Sequence, residues 1–154
     1  MVDKLSAKDQ YISIVISEFN TKITKRLLEG AQKAFSNYKG LGSNLKIYRV
    51  PGAFEIPGTI QQIIKHKQPD AIVALGSVIR GETPHFDFIA RESAHGISQI
   101  SRKIDIPIIN GILTTDNVEQ ALERSKLDGR NKGWDAMIAA LQMISIYRKI
   151  QTDL

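Results

Sequence analysis

The sequence predicts an α/β protein, a three-layer sandwich with a four-stranded parallel sheet in the order 2-1-3-4 and helices on both faces. Three observations carry this. Four short runs rich in Ile, Val and Leu, at residues 11–17, 44–50, 73–79 and 107–113, are each followed by a stretch with apolar residues at helical spacing. The first and third runs, YISIVIS and VALGSVI, are nearly continuous in apolar residues, as strands covered on both faces are. The connections are short, so strand alternates with helix and each crossover is right-handed.

Composition bounds the rest. A chain of 154 residues supports one sizeable core, read here as a single domain over 11–154 behind a polar arm or disordered end at 1–10. Hydrophobic residues at 42% and charged residues at 24% fit a globular chain, and aromatics at 6% are few for a protein that stacks on bases. The net charge of +5 is spread from Lys4 to Lys149 without a dense cluster. That argues against nucleic acid as the main partner and suits anionic small substrates or plain solubility equally well. The absence of Cys removes disulfides and thiolate chemistry and fits a reducing compartment. No apolar run reaches the roughly 20 residues of a membrane span, and the opening MVDKLSAKDQ has no signal core, so a cytoplasmic location without membrane contact is expected.

In order, the first strand is followed by a turn at Glu18, Phe19 and Asn20. The first helix, 21–39, recurs with Ile23, Leu27, Ala31, Ala34, Phe35 and Tyr38, and Gly40 stands at its end. Strand two runs into VPGAFEIP, residues 50–57, whose two prolines and glycine fix an irregular connection. Pro57 opens helix two, which turns Ile60, Ile63 and Ile64 inward and stops before Pro69. Strand three ends in a turn at 80–83, and Pro84 is expected as the first residue of helix three, which carries Phe86, Ile89, Ala90, Ile97, Ile100 and Ile104. After strand four, Asp116 with Glu119 predicts a capping box that starts a short helix to about Arg124. The segment SKLDGRN at 125–131 interrupts, and a last helix from Lys132 to about Lys149 buries Trp134, Met137, Ile138, Leu141 and Ile144.

With this strand order the winding reverses between strands one and three, and ligands bind at such a switch, beyond the carboxyl ends of the strands. The segments that meet there are SEFN (17–20), VPGAFE (50–55) and SVIRGETPH (77–85). The last brings a turn with Gly81 and Thr83 onto a helix N-terminus, where free N–H groups and the dipole suit an anion such as phosphate. His85 falls in the first turn of that helix. Alone it reads as a helix-start hydrogen bonder; beside an anion cradle at a switch point it reads as a proton carrier. Phe19 is either a loop aromatic that covers the core or a ring that stacks on a flat heterocycle. Glu55 is an exposed loop charge or a hydroxyl acceptor, and Arg124 a partner for a helix C-terminus or a phosphate clamp. His66 and His95 read as surface or packing residues, and with the three histidines on separate elements no metal site is assigned. Neither GxGxxG nor GxxxxGK occurs, which removes the usual nucleotide loops.

Five blocks carry a stronger signal: SEFN at 17–20, VPGAFEIP at 50–57, ALGSVIRGETPHFDFI at 74–89, NGILTTDNVEQALERS at 110–125 and NKGWDA at 131–136. In this order they resemble the 6,7-dimethyl-8-ribityllumazine synthase family over nearly the whole chain. The resemblance implies a flavodoxin-like fold and the condensation of 5-amino-6-(D-ribitylamino)uracil with 3,4-dihydroxy-2-butanone 4-phosphate in riboflavin biosynthesis, with no metal or redox cofactor. By resemblance Phe19 would stack on the pyrimidine, while Ala53, Phe54 and Glu55 and the backbone of Ser77, Val78 and Ile79 would hold the pyrimidine and its ribityl chain. Glu82 and Thr83 would form the phosphate turn, His85 would move protons, and Asn110 and Arg124 would come from the neighbouring subunit. A pentamer or a multiple of pentamers with shared sites follows, with riboflavin synthase as a candidate partner. Two departures from the family pattern stand out: Asn110, where many relatives have Phe, and Asp128 in LDGRNKG, where Lys is frequent.

Overall fold

Each of the four apolar runs forms a strand, as a computed structural model of the chain shows. It describes residues 4–153; residues 1–3, the start of the expected arm, and residue 154 lie outside the described residues. The elements are β1 (Ile12–Ser17), α1 (Thr21–Asn37), β2 (Leu45–Val50), α2 (Ile56–His66), β3 (Ala71–Ile79), α3 (His85–Ser101), β4 (Ile108–Thr115), α4 (Val118–Glu123) and α5 (Lys132–Thr152), with single 3-10 turns at Gly42–Asn44 and Ala53–Glu55. The strands are all parallel in the order β2-β1-β3-β4, as expected.

The unbroken apolar runs follow from there being two cores. Ile12, Ile14 and Ile16 of β1 and Val73 and Leu75 of β3 pack with Leu27, Ala31 and Phe35 of α1 and Met137 and Leu141 of α5. Val15, Ile72 and Ala74 point the other way, against Ile56, Ile60 and Ile63 of α2 and Ile97 and Ile100 of α3. Both faces of β1 and β3 are therefore dry, and each fully buried Ile or Val stabilises the fold by roughly 1.5–3 kcal/mol.

Several boundaries differ from local expectation, each for a physical reason. The left-handed residue closing α1 is Lys39, at φ 72°, while Gly40 is needed because a Cβ there would meet the Phe35 ring at 2.4 Å. Helix α3 starts at His85, with Pro84 as its N-cap. The cap of α4 is Asn117, whose side chain accepts the Gln120 N–H at 2.8 Å, rather than Asp116. Ile104 lies past the end of α3. Before β1, Ala7 is fully buried and its N–H donates to the Tyr38 carbonyl at 2.7 Å, a tertiary anchor with no local pattern.

Candidate active site

The carboxyl ends of β1, β2 and β3 open into one cleft of about 620 Å³, on the side of the sheet covered by α2 and α3. Its shape begins with the turn after β1. The Glu18 and Phe19 N–H groups donate to the carbonyls of Val50 and Pro51, at 2.8 and 3.1 Å, so the turn is stitched to the end of β2. Asn20 takes the left-handed conformation, φ 64°, and its Nδ2 donates to the Ser77 carbonyl at 2.8 Å. With its backbone tied on both sides, Phe19 projects a ring that is 73% exposed at the mouth, where only a ligand or a second chain would cover it.

The floor and one wall come from 51–55. Ala53 is buried, while Phe54 turns outward and stacks on Phe88 of α3 with ring centroids 6.2 Å apart. Glu55 folds back on its own turn, where Oε1 accepts the Gly52 N–H at 3.0 Å, leaving the second carboxylate oxygen free of protein partners among the described residues. Ser77, Val78 and Ile79 line the cleft from the end of β3.

The opposite end is the turn leading into α3. Pro84 accepts the N–H groups of Asp87 and Phe88, but those of Gly81, Glu82, Thr83, His85 and Phe86 have no protein acceptor among the described residues. Gly81, Thr83 and His85 line the cleft; Glu82, between them, does not. Five free N–H groups within six residues at a helix N-terminus, interrupted only by Pro84, suit an anion, and a carboxylate as close as that of Glu82 would repel it unless it points away. The turn is secured from its root by Arg80. Its Nε donates to Asp116 at 2.9 Å, and its Nη1 lies 3.4 Å from Asp87. The Asp116 hydrogen bond holds the guanidinium pKa above its usual value.

Of the residues singled out in the sequence, Phe19, Ala53, Phe54, Glu55, Ser77, Val78, Ile79, Thr83 and His85 gather in this cleft. Asn110 and Arg124 do not. Asn110 sits on β4, its Oδ1 accepting the Ile112 N–H at 3.1 Å, beside a second hollow of about 490 Å³ lined by Asp87, Arg91 and Thr114. Arg124 ends α4 with an exposed side chain. The cleft also holds Asn20, Gly52, Phe86 and Phe88. Asn20 is legible as a left-handed-tolerant residue after a strand, whereas Phe88 is visible only once the Phe54 pair is seen. Among the described residues no group of His, Cys, Asp or Glu is placed to hold a metal ion.

Known proteins add an independent line. A family model described as 6,7-dimethyl-8-ribityllumazine synthase matches residues 9–148. The chain is 45% identical over 146 residues to the 6,7-dimethyl-8-ribityllumazine synthase of Chloroherpeton thalassium, covering 95% of this chain and 94% of that protein. It is 44% identical to the like-named proteins of Nautilia profundicola, covering 92% of each chain, and Campylobacter hominis, covering 96% of this chain and 94% of that one.

Proposed function

This chain belongs to the 6,7-dimethyl-8-ribityllumazine synthase family, and from that premise we propose how its cleft, completed by a neighbouring copy, carries out the reaction. The chain condenses 5-amino-6-(D-ribitylamino)uracil with 3,4-dihydroxy-2-butanone 4-phosphate to 6,7-dimethyl-8-ribityllumazine, releasing phosphate and water, in riboflavin biosynthesis. The observation that carries the assignment of the cleft is the convergence of an exposed ring, a free carboxylate oxygen, a row of unpaired N–H groups and an imidazole in one cavity.

The exposed Phe19 face receives the pyrimidine, an arrangement worth roughly 1 kcal/mol beyond area burial for aromatic pairs. Ala53, Phe54 and the end of β3 align it, and the free oxygen of Glu55 accepts ribityl hydroxyls. The phosphate lies on the N–H groups of Glu82 and Thr83, with the Thr83 hydroxyl in reach, and Arg124 of the neighbour closes over it. Amine attack on the ketone gives an imine with loss of water. Phosphate then leaves by elimination, and ring closure with loss of a second water forms the lumazine. His85 accepts and returns the protons of these steps.

Holding two reactants in register contributes several kcal/mol by itself, so the proton carrier supplies the smaller share. His85→Ala is expected to lower turnover by about 10-fold to 100-fold, at or below the usual range for general acid–base catalysis, with both KM values little changed. Mixing the two substrates and following lumazine fluorescence measures it; a wild-type chain that forms no lumazine overturns the reading of function.

Asn110 and Arg124 lie outside the cleft of their own chain, so a complete site needs an adjacent copy, and we place the active form as a pentamer or a multiple of it. Light scattering is expected to give such a mass, and a fully active monomer contradicts the shared site. No helix among the described residues is long and apolar enough to cross a membrane. We place the enzyme in the cytoplasm, where a Cys-free chain is at no disadvantage, with riboflavin synthase as a natural recipient of its product.

A further inference from the structure

Among the described residues, Arg80 is the side chain whose hydrogen bonds tie the proposed phosphate turn to neighbouring elements. Its backbone N–H donates to the Thr115 carbonyl at 2.9 Å, at the end of β4. Its Nε donates to Asp116 Oδ1 at 2.9 Å, in the loop before α4, and its Nη1 reaches Asp87 Oδ1 at 3.4 Å, in the first turn of α3. Its Cζ stands 4.6 Å from the centroid of the Phe86 ring. A single planar fork thus touches both residues that directly follow His85. The His85 side chain is exposed and has no hydrogen-bond partner among the described residues, so its place depends on the backbone beneath it. The same holds for the free N–H groups of the turn, which no side chain among the described residues accepts.

Stability does not account for this arrangement. The side chains of Arg80, Asp87 and Asp116 are 49%, 51% and 66% exposed, and exposed ion pairs contribute little. What the geometry does supply is direction. A guanidinium can bond two carboxylates in its plane while its face lies on a ring, and an ammonium cannot do both.

We infer that Arg80 is a positioning residue for the phosphate half of the reaction, pinning the first turn of α3 to the β4–α4 loop so that His85 and the N–H groups of the turn meet the phosphorylated ketone in register. This rests on the reading of the cleft given above. It also links two sites, because the loop held through Asp116 leads into α4 and Arg124, the residue offered to the neighbouring cleft.

The test compares steady-state kinetics and thermal melting of the assembled wild-type enzyme with Arg80→Gln, Arg80→Lys and the pair Asp87→Asn/Asp116→Asn. Small misplacements near the chemistry cost up to about 100-fold. Arg80→Gln is expected to lower kcat/KM for the phosphorylated ketone roughly tenfold or more, with the KM for the ribitylaminouracil and the melting midpoint nearly unchanged. Arg80→Lys recovers part of the loss. The paired Asn variant moves in the same direction as Arg80→Gln, and adding it to Arg80→Gln costs nothing further, as for members of one network. The inference is overturned if Arg80→Gln leaves the ketone kinetics intact, raises both KM values alike, or loses activity only in step with melting. It is also overturned if the paired variant tightens ketone binding, since Arg80 would then merely mask two carboxylates from an anion. An inactive wild-type enzyme would instead sink the functional premise, a different and recognisable outcome.

Discussion

Arg124→Ala is expected to cut kcat/KM for 3,4-dihydroxy-2-butanone 4-phosphate by roughly 30-fold to several-thousand-fold, a larger loss than His85→Ala produces. The reason is the difference between moving a proton and holding a charge. The turn at 81–84 offers N–H dipoles but no cation, and the guanidinium adjoining it in sequence, Arg80, is already engaged by Asp87 and Asp116. A phosphate closed into that site needs a positive partner, and a fork of N–H donors fits its oxygens. Truncating one member of a buried, hydrogen-bonded charge pair costs about 2–5 kcal/mol, which is roughly 30-fold to several-thousand-fold at about 1.4 kcal/mol per tenfold. The loss is expected in the ketone's kinetics, with the KM of the ribitylaminouracil nearly unchanged. A deficit smaller than that of His85→Ala would remove Arg124 from the phosphate. Co-assembly gives a sharper check. Mixed rings of Arg124→Ala and His85→Ala subunits regain activity if the site is shared, because an intact cleft can then face an intact arginine; no recovery is possible if each chain uses its own.

The architecture was legible because its cause is local and periodic. Continuous runs such as YISIVIS require two dry faces, and the two cores supply them. The switch-point position of the cleft followed from strand order alone. The misreadings occur where a tertiary partner decides between equivalent local choices. Asp116 and Asn117 are both good caps, but Arg80 has taken the Asp116 carboxylate and left Asn117 to cap α4. Pro84 was expected inside α3, and it stands just outside, accepting the N–H groups of Asp87 and Phe88. Nor does any pattern show that Ala7 is buried or that Phe54 and Phe88 stack, since both depend on residues far apart in the chain. The network around Arg80 was equally hidden. Its members lie at 80, 86, 87 and 116, and only the β3–β4 register brings the last of them to the first.

The block NKGWDA owes its form to packing, and this yields the largest effect expected on stability. Asn131 is 3% exposed; its Nδ2 donates to the carbonyls of Arg26 and Ser125, at 3.2 and 2.9 Å, and its Oδ1 accepts the Trp134 N–H at 2.9 Å, capping α5. Two residues on, Gly133 lies against α1 so closely that a Cβ would fall 1.8 Å from the Leu27 carbonyl oxygen. That neighbour is helical backbone and cannot turn aside, so α1 and α5 must separate. Overpacking usually costs 1–3 kcal/mol when side chains can adjust; here about 3 kcal/mol or more is expected from Gly133→Ala. At roughly 2–4 °C per kcal/mol for a domain of this size, the melting midpoint falls by about 6–12 °C. Gly129→Ala is the matched control, since a Cβ there meets nothing closer than the Lys126 Cβ at 3.9 Å. An equal melting midpoint for the two variants would show that the helices can part at no cost. The damage is expected to reach the chemistry as well, because the Lys132 N–H donates to the Arg124 carbonyl at 2.8 Å, so the start of α5 sets where Arg124, the arginine we propose is shared with a neighbour, stands. Below its melting transition, Gly133→Ala should therefore lose activity toward the phosphorylated ketone before it loses affinity for the ribitylaminouracil.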